Sequence, residues 1–320
     1  MKRIKVIYIA TLVIISIAVF SCGKDNPLPN NSNSEQPSEE TIDGRLSGVF
    51  SVSENVRVRF SQGNLQYCAA QNLWRFAEEQ YDYIGEDNER IAVNYSGWID
   101  LFGWGTSGWA SGATCYEPWA TSNNSEDYFV GGDYKNDLTG TYKKADWGVF
   151  NQPENSRDDI AWRTLSYNEW TALIGNENLF TDALPVRQNK SGLGTLSING
   201  VTYNGLILVP DDWSIPDGCE FIGSCAGGFS NNTYSEQQWE KMEANGAVFL
   251  PCSGYRRIGT IYDIETKGHY WTTTAGKSQL NGIYYSNSLY FYQSQQNDAC
   301  AFSSSPRGFG FSVRLVTEDL

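Results

Sequence analysis

The chain has 320 residues, 37 acidic and 23 basic, for a net charge of −14. Lys2, Arg3 and Lys5 are the only charged residues among the first 21, so the remainder carries 37 − 20, or 17, net negative charges. That surface repels phosphate backbones and argues against nucleic acid as a partner, while 14 % aromatic residues, with 11 Trp and 19 Tyr, are foreign to a disordered chain.

In chain order, Lys2, Arg3 and Lys5 form a short basic segment, and residues 6–20 carry no charge. A signal-peptide apolar core runs roughly 7–15 residues, and a spanning helix needs about 20. The run ends in Val19-Phe20-Ser21-Cys22, which resembles the lipobox of bacterial lipoproteins. The resemblance implies a signal peptide over 1–21 and a lipidated Cys22 as the mature N-terminus, with the membrane as partner through the lipid. An uncleaved N-terminal anchor is the alternative. Residues 22–45 are rich in Asn, Ser, Pro and Glu with few large apolar side chains, which makes a flexible tether.

Order begins near Leu46. Val52, Val56, Val58 and Phe60 alternate with polar residues as a half-buried strand does. Gly63-Asn64 reads as a turn, Leu65-Gln66-Tyr67 as the returning strand and Leu73-Trp74-Arg75-Phe76 as a third. The Trp/Gly stretch Trp98, Phe102, Gly103, Trp104, Gly105, Gly108, Trp109 follows no period and reads as a packed irregular loop. Residues 120–155 are polar and read as loops. Ser166-Tyr-Asn-Glu169 and Ser235-Glu-Gln-Gln238 are capping boxes, each opening a short helix. Leu206-Ile-Leu-Val209 and Ala247-Val-Phe-Leu250 are apolar strands closed by prolines. Tyr270-Trp-Thr-Thr273, Ser288-Leu-Tyr-Phe291 and Phe311 to Val316 are further strands. Two short helices among many short strands and long irregular loops predict an α+β fold with antiparallel sheets. The β-rich part spans 46–160, integral to the same domain or separate, and a second part spans 161–320.

If Cys22 is lipidated, six cysteines remain: Cys68, Cys115, Cys219, Cys225, Cys252 and Cys300. Their spacing fixes no connectivity; Cys219–Cys225 is the nearest local pair, and buried free thiols are the alternative. No CxxC pair occurs, so no metal site is expected. The single histidine, His269, removes most His-based catalysis, and no catalytic residue or cofactor is assigned.

Residues 162–316 carry Arg163-Thr-Leu-Ser166 with Glu169-Trp170, Leu208-Val-Pro-Asp211, Gly246 to Pro251, Gly254-Tyr-Arg256, Gly268-His-Tyr-Trp-Thr-Thr-Thr274 and Gly310 to Val316. This pattern resembles the Fibrobacter succinogenes major paralogous domain and, more distantly, the formylglycine-generating enzymes. Phe60 to Tyr67 and Trp98 to Trp109 look like the corresponding parts of Bacteroides lipoproteins carrying that domain. The resemblance implies a C-type-lectin-like fold, an outer-membrane location facing the surface or the periplasm, and a glycan or protein ligand. The oxidase branch uses two cysteines late in the domain, for which Cys252 and Cys300 are the pair to examine. Glu117-Pro118-Trp119 lacks the third carbonyl ligand of lectin calcium triplets, so no calcium site is carried over.

The segment 284–310 also resembles the variable region of retroelement-diversified proteins on this scaffold. Leu289, Phe291, Arg307, Phe311 and Val313 would be framework. Tyr290, Tyr292, Ser294, Gln295, Asn297, Asp298, Ser304, Ser305 and Phe309 would be exposed ligand-binding residues, because Tyr and Ser give contact area and hydrogen bonds at low entropic cost. An ordinary strand and loop is the other reading. Trp104 and Trp109 either stack on sugar rings or lie beneath the long loop. Three functions follow: a lipid-anchored envelope binding module, a structural or adhesion component, and an oxidase of the formylglycine-generating type.

Overall fold

Gly, Asn, Asp and Ser divide the apolar runs of this chain into strands that pair both with their neighbours in sequence and with partners at long range. The computed structural model describes residues 43–174, 184–294 and 299–319, all within the unit Thr41–Leu320. The leader, Cys22 and the tether up to residue 42 lie outside the described residues. Among the latter, the N-terminal part contributes β1 (Phe50–Ser51), β2 (Arg57–Phe60), β3 (Leu65–Cys68), β4 (Leu73–Phe76) and the one-turn α1 (Trp147–Phe150). Then come β5 (Arg163–Thr164), α2 (Tyr167–Ile174), β6 (Ser191–Ile198), β7 (Val201–Leu208), β8 (Thr233–Ser235) and α3 (Glu236–Ala244). The chain continues through β9 (Val248–Pro251), β10 (Tyr255–Arg257), β11 (Thr260–Tyr262) and β12 (Lys267–Leu280). It ends with β13 (Ile283–Tyr292), β14 (Cys300–Pro306), β15 (Phe309–Gly310) and β16 (Leu315–Glu318).

The fold is α+β, mostly strands in several open sheets. Their orders are β1-β2-β16-β5, β8-β6-β7-β9, β11-β10-β15, β12-β13-β14 and the pair β3-β4. All strand pairs are antiparallel except β6–β8. The first of these sheets joins residues on both sides of position 160: β16 lies between β2, with Val316 opposite Phe60, and β5, with Leu315 opposite Thr164. A core of Phe50, Phe60, Trp170, Leu208, Leu250, Leu289 and Phe291 underlies it. A second cluster gathers Trp74, Phe102, Trp104, Trp147, Trp162, Trp271 and Phe311, and a third packs α3 on β6, β7 and β9.

Both capping boxes form. The Ser235 hydroxyl accepts from Gln238 N while the Gln238 side chain accepts from Ser235 N. Glu169 accepts from Ser166 N at 2.8 Å, and Ser166 Oγ from Glu169 N at 3.3 Å.

Several expectations are corrected. Leu65-Gln66-Tyr67 does not return on the preceding strand. Asn64 is buried, with its side chain bonded to Tyr270 Oη and Arg314, and the backbone turns away there so that β3 pairs with β4 instead. Residues 120–155 hold one-turn 3₁₀ segments at 125–128, 130–132 and 140–145 and the α-turn α1, which is capped by Asp146. Strand β6 is not legible in the sequence, because its Ser-Gly-Leu-Gly start has low strand propensity. A side chain at Gly192 would stand 2.3 Å from the Ile222 carbonyl oxygen, so close approach requires the glycine. Residues 311–316 are not one strand: Phe311 and Ser312 make isolated bridges to Phe102 and Tyr270 before β16 begins. The disulfide is Cys225–Cys300, not Cys219–Cys225. Cys219 is buried against the third cluster, on the other side of β6 and β7 from Cys225 and Cys300 in the first.

Candidate functional site

The antiparallel register of β12, β13 and β14 decides which side chains share a surface. Lys267 opposes Tyr292, His269 opposes Tyr290 and Trp271 opposes Ser288. Tyr290 in turn opposes Ala301, and Ser288 opposes Ser303. Directly opposed residues point to the same face of a sheet and alternate ones along a strand do too. One face thus carries Lys267, His269, Tyr290, Tyr292, Ala301 and Ser303. On its other face Leu289, Phe291 and Cys300 are sealed in the first core.

On the first face the rings form a column that starts in the core and ends at the surface. Trp271, buried, packs on Phe311 at 4.3 Å between centroids. Phe311 stacks on His269 at 4.7 Å and 24°, His269 on Tyr290 at 6.0 Å and 16°, and Tyr290 on Tyr292 at 5.6 Å and 7°. Tyr290 and Tyr292 are half-exposed. A second row comes from β11, β10 and β15. Tyr262, 41 % exposed, stacks on Tyr255 at 5.4 Å, and Tyr255 on Phe309 at 5.6 Å. The Tyr255 ring meets His269 edge-on at 5.3 Å, which joins the two rows into one aromatic surface. Beside Tyr290 the floor is small, made by Ala301 and Ser303, so the tyrosine rings stand above it as a wall.

His269 lies at the centre. Both ring nitrogens are sealed from solvent without a hydrogen-bond partner. Burial first, then the Lys267 charge, push its pKa down to about 4, so the imidazole is neutral at pH 7. The charged groups at the rim are the Lys267–Asp263 pair, at 2.9 Å, and Arg257, whose guanidinium lies over Phe309 at 5.9 Å.

Of the residues the sequence singled out, Tyr290, Tyr292 and Phe309 meet on this surface. Ser294 follows β13 and is half-exposed. Gln295, Asn297 and Asp298 lie outside the described residues. Ser304 is exposed, as expected, but it opposes Asn287 and so lies on the other face of the sheet from Tyr290 and Tyr292. Ser305 is corrected: it is buried, because its hydroxyl contacts Ser288 Oγ at 3.0 Å inside the sheet. Leu289, Phe291, Arg307, Phe311 and Val313 are all buried, as a framework requires. Trp104 is core, donating to the Thr272 carbonyl at 2.9 Å with Arg307 stacked on its ring, whereas Trp109 is only partly buried. Tyr255, Tyr262 and His269 were missed. Their signal was local, two tyrosines flanking the turn Ile258-Gly259 and a histidine two residues before Trp271, but only pairing brings them together.

Cys300, examined with Cys252, is instead bonded to Cys225, and burial raises the Cys252 thiol. Among the described residues no group of three or more His, Cys, Asp or Glu is placed to hold a metal, and no helix is long and apolar enough to cross a membrane. A separate concavity of about 700 Å³ lies between Ser51, Glu54, Arg57, Pro185 and Asp211. Its Asp211 carboxylate is already engaged by Ser51 and by the buried Arg187 at 3.0 Å.

Comparisons with family models, curated proteins and solved structures find no significant match to the chain.

Proposed function

We propose that this chain is a lipid-anchored protein of the bacterial outer membrane whose folded unit is C-type-lectin-like. In this reading it binds a glycan or protein ligand and performs no chemistry. One observation carries it: two rows of stacked rings from four strands, Tyr262, Tyr255 and Phe309 in one and Tyr290 and Tyr292 in the other, are left at least partly exposed on a core-anchored surface. Aromatic rings of this kind give large contact area at low entropic cost, and their exposed edges and outer faces can take the C–H groups of a sugar ring or the side chains of a peptide. The lipobox-like Val19-Phe20-Ser21-Cys22 supports the anchor.

A diversified-display variant of the same reading is favoured by the contrast within 284–310, where framework positions are buried and Tyr290 and Tyr292 face outward. It expects near-copies of this segment that differ at the outward positions alone.

The test is a glycan and peptide array probed with Thr41–Leu320, alongside palmitate labelling of the full chain. Expected are ligand classes lost in Tyr290→Ala and Tyr255→Ala, and a label lost in Cys22→Ser. Array binding that survives both tyrosine changes, or an unlabelled wild type, refutes the corresponding half of the proposal.

A further inference from the structure

The hairpin β10–β11 carries three features that the aromatic surface alone does not need. Its turn places Ile258 at φ +58°, a left-handed conformation that is strained for a β-branched residue. The strain is held from below. Buried Arg256 donates to the Ile258 carbonyl at 2.7 Å and to the Leu101 and Ala120 carbonyls, fixing the hairpin to the body. The next residue, Arg257, is exposed and lies over Phe309. Among the described residues no carboxylate pairs with it.

On a chain of net charge −14 this is an unusual place for an unpaired cation. Among the described residues the other cation on the aromatic surface, Lys267, is neutralised by Asp263. The surface therefore offers stacking rings and one free, pre-oriented guanidinium that can take a carboxylate bidentately.

Resting on the reading of this surface as a ligand face, we infer that it is a subsite for acidic oligosaccharides. A hexuronate unit would lie against Tyr262, Tyr255 and Phe309 with its carboxylate on Arg257. A carboxylate set on a sugar ring suits the geometry because the guanidinium lies within 5.9 Å of the Phe309 ring. An acidic peptide would use the charge but does not place a carboxylate and an extended C–H face on one rigid ring.

The experiment is titration calorimetry of the purified full chain with oligogalacturonate and hyaluronan oligomers, each beside its carboxyl-reduced counterpart, and with poly-glutamate. The expected result is binding of at least one acidic oligomer, weakened at least fivefold in its reduced form and by Arg257→Gln, and weakened further with salt. Arg257→Gln should weaken the acidic form at least fivefold more than the reduced form, whereas Tyr255→Ala should weaken both forms alike.

Equal binding of acidic and reduced oligomers, or no effect of Arg257→Gln, overturns the acidic subsite while leaving the aromatic ligand face standing. Binding of poly-glutamate alone, or of none of these probes, also overturns it. Affinity for acidic oligomers that Tyr255→Ala does not touch removes the ligand face as well.

Discussion

His269 shows how much one side chain's surroundings matter. Its ring is held by stacking on Phe311 and Tyr290 and makes no hydrogen bond through either nitrogen. Its folded-state pKa of about 4 lies below the ordinary 6.5. As pH falls, the unfolded chain therefore takes up the proton first, and stability is lost from about pH 6.5 down to about pH 4. Linkage makes the loss about 3 kcal/mol at the lower end. Buried Asp100 and Asp146 act in the opposite sense. Burial raises each to about 6, so they regain stability as pH falls through that value. His269→Phe keeps the stack and removes the imidazole. Urea denaturation of wild type and variant should give stabilities whose difference moves by about 3 kcal/mol against the wild type between pH 7 and pH 4. A folded-state imidazole titrating near 6.5 by NMR would contradict this account.

At the scale of elements, the ligand surface depends on how closely β12 and β13 approach. Gly268 faces Phe291 across the pair, and a methyl group there would stand 2.1 Å from the Phe291 Cζ atom. Phe291 is fully buried in the first core and cannot move outward. Gly268→Ala should therefore cost about 1–3 kcal/mol through overpacking and shift Tyr290 and Tyr292, which flank Phe291 on β13. Thermal denaturation and array binding should both fall. A variant with unchanged melting temperature would show that the strands can separate without penalty. This glycine was legible in the sequence only as part of the segment that ends in Tyr-Trp-Thr-Thr-Thr; its reason is a partner 23 positions away.

The whole molecule is tied by two long-range devices. Strand β16 closes the chain between β2 and β5. The Cys225–Cys300 disulfide joins positions 75 residues apart, at the base of the segment that follows the ligand strand. Removing the bridge frees that loop in the unfolded chain and should cost about 2–5 kcal/mol. Cys225→Ala/Cys300→Ala, and wild type under strong reductant, should show matching losses by calorimetry. A melting temperature indifferent to both would mean that core packing alone holds the two segments.

Local physics wrote a good part of this structure into the sequence. Ser166 to Glu169 and Ser235 to Gln238 specify helix starts because capping is settled within four residues. The apolar runs 206–209 and 247–250 specify strands because burial on both faces demands them. The buried positions Leu289, Phe291, Phe311 and Val313 follow from the same apolar patterning. Pairing is another matter. Nothing near Leu65 says that β3 turns toward β4, nothing in the cysteine spacing selects Cys300 for Cys225, and nothing local buries Ser305 while leaving Tyr290, on the same face of the sheet, half-exposed. Strand register and ring stacking join residues tens to hundreds of positions apart, and loop closure is tolerant of such separations. The sequence by itself determined the capped helices, the apolar strands and the material of the site; only the tertiary structure decided which tyrosines, with His269 and Arg257, share one surface.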